Sequence, residues 1–227
     1  MKSYGQFCSI AKALEIVGER WTPLVLRELL CGSRRYAEIQ RGVPRISPAL
    51  LSKRLNDLHR AGVIRRDRDN GRYELTEAGW ELKPLIEQLG VWGQRWARGR
   101  LTDKDFDPDL IMWDMRRRIN LQDFPTTRTC LKFELANEPE NKRHYWLVGD
   151  RGGLELCISD PGYAVDLYIT TDTRTLTLVW NGDLPMRKTI EDGKIELHGP
   201  TALCRAFPGW LMLGLFAGVP AAKRAAQ

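Results

Sequence analysis

The sequence predicts an α+β chain of two domains, a mostly helical one followed by a mostly antiparallel sheet with helices. Three observations predict it. The net charge of +6 is unevenly shared: residues 1–100 hold 19 Lys and Arg against 11 Asp and Glu, a balance of +8, and the remainder is −2. Apolar residues recur at helical spacing through the first hundred positions and alternate with polar ones beyond residue 110. Between them Leu101–Asp109 reads LTDKDFDPD, acidic, proline-containing and without an apolar period. The expected domains are therefore 1–100 and 110–227, joined by a linker at 101–109.

A hydrophobic fraction of 43% and a charged fraction of 28% are those of a globular protein. The apolar stretch Ala206–Ala222 is broken by Pro208, Pro220 and three glycines, too interrupted to span a bilayer. The N-terminus lacks a basic-then-apolar leader pattern, so a cytoplasmic location and no membrane partner are expected. The five cysteines, 8, 31, 130, 157 and 204, are odd in number and widely spaced. They form neither a disulfide framework nor a zinc motif.

The first helix is marked by Ile10, Ala13, Leu14 and Val17 and ends at Gly18. Thr22 offers an N-cap with Pro23 at the first helical position. Leu24–Leu30 is apolar on most faces, which suits a buried helix stopped by Gly32. Ser33 is the expected cap of a short helix, Arg34–Gln40. After the turn at 42–46, Ser47-Pro48 repeats the start signal for a helix Pro48–Ala61 ended by Gly62.

That fourth helix carries the chemistry. Leu51, Leu55 and Leu58 form one stripe, and Ala49, Lys53, Asn56 and Arg60 cluster opposite, flanked by Ser52. Lys and Arg can donate to guanine, and Asn can bond adenine through donor and acceptor together. Strands at Val63–Arg66 and Arg72–Leu75 flank an Asn70-Gly71 hairpin signal. This order, short helix, turn, amphipathic helix and basic-tipped hairpin, is that of a winged helix-turn-helix. Arg66, Arg68 and Arg72 would meet phosphates or the minor groove. Arg34, Arg35 and Tyr36 on the short helix, with Arg45 and Ser47 in the turn, complete the expected DNA-contacting set. Thr76 caps a last helix, Glu77–Arg98, which Pro84 should bend or split. Its stripe, Leu82, Leu85, Ile86, Leu89, Trp92 and Trp96, is too long for a small winged helix to bury, and predicts a homodimer through this helix and the N-terminal segment; the alternative is that the second domain covers the stripe.

Here the sequence resembles the HxlR-type bacterial transcriptional regulators. The carrying segments are Cys8–Ala11, Gly18–Trp21, Leu26–Leu29, Gly32–Tyr36, Ile46–Pro48, Leu50–Leu55 and Tyr73–Gly79, so the resemblance covers about residues 6–97. It implies a dimer that binds operator DNA through Pro48–Ala61. It also implies a thiol sensor at Cys8, since some members respond to oxidants or electrophiles through an N-terminal cysteine. The alternative is a Cys8 packed as a small hydrophobe.

Beyond residue 110 the reading is a short helix at Asp109–Asn120, with Arg116-Arg117-Arg118 as a solvated face. Four or five strands follow, around Leu131–Leu135, Tyr145–Val148, Leu154–Ile158, Val165–Ile169 and Ile195–Leu197. Asp172–Trp180 fits helix or strand, and Thr201–Phe216 reads as a helix interrupted near Pro208. Asp166–Ile169, Trp180–Asp183, Ile190–Ile195, His198-Gly199 and the terminal apolar helix resemble the sterol carrier protein-like fold. That resemblance implies an apolar cavity and an apolar small-molecule effector, with Phe133, Leu156, Tyr168, Trp180, Phe207, Trp210 and Leu211 as candidate lining. The same residues could equally fill a core.

No nucleophile, zinc or phosphate-loop motif occurs, so neither enzyme activity, a metal nor another cofactor is expected. The sequence points to a regulator binding double-stranded DNA. The alternative is a cytosolic apolar-ligand carrier whose winged helix serves protein interaction or dimerisation.

Overall fold

The computed structural model describes residues 3–222; the outermost residues of both expected domains lie outside that range. The architecture is α+β, and its internal contacts divide it into two units between Trp92 and Gly93.

In the first unit, α1 (Ser9–Val17), α2 (Thr22–Leu30), α3 (Tyr36–Gly42) and α4 (Pro48–Arg60) precede a two-stranded hairpin, β1 (Ile64–Arg66) and β2 (Tyr73–Leu75). α5 (Glu77–Glu81) and α6 (Lys83–Trp96) follow. The centre of α2, Val25, Leu26 and Leu29, is fully buried with Ile39, Leu51, Leu55 and Leu58. Each such side chain contributes about 2 kcal/mol of burial. β1 and β2 pair antiparallel, Arg65 opposite Glu74. The Tyr73 amide also donates to the Arg34 carbonyl at 2.7 Å, tying β2 to the segment that enters α3.

Two expected caps are corrected. Thr22 is the first helical residue and is buried, while the cap position falls to Trp21, whose φ of 78° is left-handed. This is a strained state for a non-glycine residue, costing about 1–3 kcal/mol. Ser33 does not cap α3, because its hydroxyl is turned inward to Glu28. The Glu38 carboxylate instead accepts from the Arg34 and Arg35 amides at 2.7 and 3.0 Å. Ser47 does cap α4, accepting from the Leu50 amide, with Pro48 beside it. The expected last helix is split at Leu82, next to Pro84, into α5 and α6.

The second unit begins earlier than the limit expected at residue 100. The end of α6 bonds within it: Gln94 and Arg98 both donate to the Asn181 carbonyl. The segment expected to be a linker contains a 3-10 turn, Asp103–Asp105, where Asp105 accepts from the Thr102 amide. α7 (Pro108–Arg117) is capped by Asp107. Then come β3 (Thr129–Leu135), β4 (His144–Asp150), β5 (Gly153–Cys157), β6 (Leu167–Thr171), α8 (Thr173–Trp180), α9 (Met186–Glu191), β7 (Glu196–His198) and α10 (Thr201–Trp210). The sheet order is β5-β4-β3-β6-β7, antiparallel except for the parallel β3–β6 pair. Leu131, Phe133 and Leu135 of β3, with Tyr145, Leu147, Leu167 and Ile169, bury one face against α7, α8 and α10.

Asp172 settles the ambiguous segment as helix, accepting from the Thr175 amide at 2.8 Å and its hydroxyl at 2.6 Å. The run Arg116–Arg118 is not a solvated face. Arg116 donates to the Leu154 carbonyl, Arg117 pairs with Asp114, and Arg118 donates to the Leu213 carbonyl. α10 continues through Pro208 but ends at Trp210, not Phe216, where Leu211 turns extended and bridges to Ile119.

Candidate nucleic-acid interface

α4 presents two chemically opposite faces. Leu51, Leu55 and Leu58 are sealed in the core, while Ala49, Ser52, Lys53, Asn56 and Arg60 are exposed. Lys53 and Asn56 make no side-chain hydrogen bond to any described residue, and Arg60 only leans on Asp57 at 3.1 Å. Unsatisfied donors and acceptors in a row on an exposed helix are what base edges in a major groove can engage.

The helix is held from below by a residue that spacing alone does not single out. Arg54 lies on the buried side, its guanidinium donating to Glu19 at 2.8 Å and to the Arg20 carbonyl at 3.1 Å. A buried, fully bonded Arg fixes the rotation of α4 about its axis. The one hint in the sequence is its position between Leu51 and Leu58 on the leucine stripe.

α3 is seated by a second buried charge. Glu28 is wholly buried and accepts from Arg27 at 2.9 Å and from the Ser33 hydroxyl at 3.2 Å. Arg27 in turn donates to the Gly42 carbonyl at 2.6 Å.

The other expected contacts fall into two groups. Arg35, Arg45, Ser47, Arg66, Arg68 and Arg72 are exposed. In the hairpin loop Asp67 accepts from the Asp69 and Asn70 amides. The Asp69 amide bond is the main reason its carboxyl titrates below the usual range. Arg66 lies over the Tyr73 ring at 5.6 Å. Arg34 and Tyr36, by contrast, are partly committed to the fold. Arg34 donates to the Leu29 carbonyl at 2.6 Å, and the Tyr36 hydroxyl donates to the Pro48 carbonyl at 2.9 Å.

Cys8 is exposed at the start of α1, where the backbone amides of Ala11, then Ile10, hold its thiol below the ordinary range. In the second unit, Phe133, Trp180, Phe207, Trp210 and Leu211 join one core with Leu156 packed against it. The Phe133 and Phe207 rings lie 6.2 Å apart. Tyr168 is not brought to that group. It is exposed, on the face opposite Leu167 and Ile169, because neighbours in a strand point to opposite sides.

Among the described residues no helix is long and apolar enough to cross a membrane, and no cluster of His, Cys, Asp and Glu could hold a metal ion.

A family model described as HxlR-like helix-turn-helix matches residues 16–100. Over 97 residues the chain is 36% identical to the uncharacterized HTH-type transcriptional regulator YvaP of Bacillus subtilis, covering 40% of this chain and 90% of that one. The uncharacterized HTH-type transcriptional regulator Rv3095 of Mycobacterium tuberculosis is 42% identical over 95 residues; the match spans 39% of this chain and 58% of that protein. Among solved structures, the redox regulator HypR in its oxidized form is similar at 27% identity and a TM-score of 0.37, over 38% of this chain and 95% of that one. Through its N-terminal winged helix-turn-helix, the chain belongs to the HxlR-like helix-turn-helix family.

Proposed function

We propose that the chain is a cytoplasmic, sequence-specific transcriptional regulator that binds an inverted-repeat DNA operator as a homodimer. The observation that carries this reading is the exposed row Ser52, Lys53, Asn56 and Arg60 on a helix whose other side is locked in the core. In this reading α4 enters the major groove, and Arg66, Arg68 and Arg72 take phosphates beside it.

Dimerisation is supported by apolar side chains exposed on the first unit. Ile10 on α1 is 71% exposed, and Leu89 and Trp92 on α6 are 51% and 60% exposed. Such stripes are characteristic of protein–protein contact. Two-fold symmetry then sets half-sites about 10 base pairs apart or a multiple of that.

For the second unit we retain a sterol carrier protein-like domain that takes an apolar effector. The five-stranded sheet with helices packed on one face supports it. For Cys8 the proposed role is a sensing thiol, supported by its exposure and its lowered pKa.

The test of the central reading is selection of bound fragments from random duplex DNA at about 150 mM salt, where weak surface attraction is screened. Recovery of an inverted repeat is the expected outcome. Recovery of no motif would reduce the basic face to a non-specific patch.

A further inference from the structure

The second unit carries a cleft of about 480 Å³ at its surface, away from the core residues expected to line a ligand cavity. Its wall combines three guanidinium groups, Arg95, Arg98 and Arg174, with a single carboxylate, Asp183. Trp96 and Phe106 supply aromatic surface, and Leu178 an aliphatic one.

The charges are not balanced. Asp183 is already paired with Arg98. Arg98 is mostly withdrawn from water, and burial holds its pKa below the usual arginine range. Among the described residues its Nε–H is a buried donor with no acceptor, a deficit that proteins rarely tolerate. Arg174 lies over the Phe106 ring at 5.1 Å and, among the described residues, pairs only with Asp103, which is 91% exposed. An ion pair that exposed is weak and easily exchanged. Arg95 is exposed, and its carbonyl accepts from the Ala222 amide at 2.9 Å, which fixes the backbone at the edge of the cleft.

We infer that this cleft is a binding site for a small organic anion, a carboxylate or sulfonate on a flat apolar body. Guanidinium forks match a carboxylate in two-point geometry. The rings of Trp96 and Phe106 match a planar body, and the volume is that of ordinary small-molecule sites. The inference does not depend on the DNA-binding reading, and it places the anion on the charged surface rather than within the sheet-and-helix core.

The test is calorimetric titration of the full chain with 1-naphthoate, alongside 1-naphthalenemethanol, which keeps the ring and lacks the charge. Saturable binding of naphthoate is expected, with the alcohol about tenfold weaker. The double variant Arg95→Gln/Arg174→Gln alters only exposed side chains and should also lose about tenfold. Arg187→Gln, an exposed arginine of α9 outside the cleft, should leave the titration unchanged. No saturable heat up to about 10 mM, equal binding of acid and alcohol, or indifference to the double variant would each overturn the assignment.

Discussion

Gly42 has no room for a side chain because the carboxylate of Glu28 occupies the place its Cβ would take. Glu28 is held there by Arg27, and Arg27 also grips the Gly42 carbonyl. The start of the helix-turn-helix is thus locked to α2 by one charge pair and one missing methyl. Gly42→Ala should therefore displace a buried, bonded carboxylate and destabilise the first unit by about 2 kcal/mol. Scanning calorimetry should show its transition lowered by roughly 10 °C. An unchanged transition would mean that Glu28 can move aside freely.

Base readout and phosphate contact should separate by mutation. Lys53→Ala and Asn56→Ala should lower the preference between operators by about 1–3 kcal/mol each. Arg68→Ala should weaken all duplexes alike and reduce the salt slope by about 1 per subunit. With about eight phosphates neutralised by a dimer, log K should fall with log salt at a slope near −7. Gel-shift titrations at several salt concentrations measure both. Identical behaviour of the two kinds of variant would remove α4 from the groove.

The exposed stripe on α6 should be the seam between two copies. Sedimentation of the intact chain should give twice 26.1 kDa. Leu89→Glu with Trp92→Ser should return it to one chain and weaken operator binding by about 100-fold or more, since two linked half-sites reinforce each other. A chain that sediments singly before mutation refutes the seam.

Two buried acids set an alkaline limit on the second unit. The Tyr145 hydroxyl is buried and donates to Asp109 at 2.8 Å, and both effects, burial first, push its pKa well above the phenol range. Burial, then the negative Asp166, raises the Cys130 thiol. The folded chain keeps these protons where the unfolded chain has lost them. Their contribution to stability is thus full below the ordinary thiol and phenol values, about 8.5 and 10, and is lost as pH rises beyond them. Melting temperatures should fall progressively above about pH 9, and Tyr145→Phe should flatten the fall. Equal slopes for the two proteins would leave Tyr145 without a part in it.

Cys8 should ionise earlier than an ordinary thiol, since the amides of Ala11 and Ile10 at the start of α1 favour its thiolate. Alkylation of Cys8 by iodoacetamide, followed by mass spectrometry, should reach half its plateau below about pH 8.5. Buried Cys130 should react only on unfolding. A Cys8 midpoint at or above the free-thiol value would end its candidacy as a sensor.

Much of the first unit was legible because local signals and burial agree there. Ser47-Pro48 and the Leu51, Leu55 and Leu58 stripe place α4 and its outward face with no tertiary information. Spacing could not show which long polar side chains turn inward. Arg54, Ser33 and Arg116–Arg118 all do so, because carboxylates and carbonyl oxygens await them. Trp21 was missed because nothing in a tryptophan announces a left-handed backbone. α9 went unseen because six residues carry too little periodicity. Tyr168 was grouped with the candidate pocket lining on its chemistry, although alternation along β6 already assigns it to the other face.

The bond from the Tyr73 amide to the Arg34 carbonyl makes the hairpin and the paired helices a single caliper. Its jaws, the tip at Arg68 and the row at Lys53 and Asn56, cannot open or shut independently. A duplex gripped by both must present groove and flanking backbone at one fixed offset. Groove width varies with DNA sequence, so the caliper should reject widths that a tethered, swinging arm would forgive.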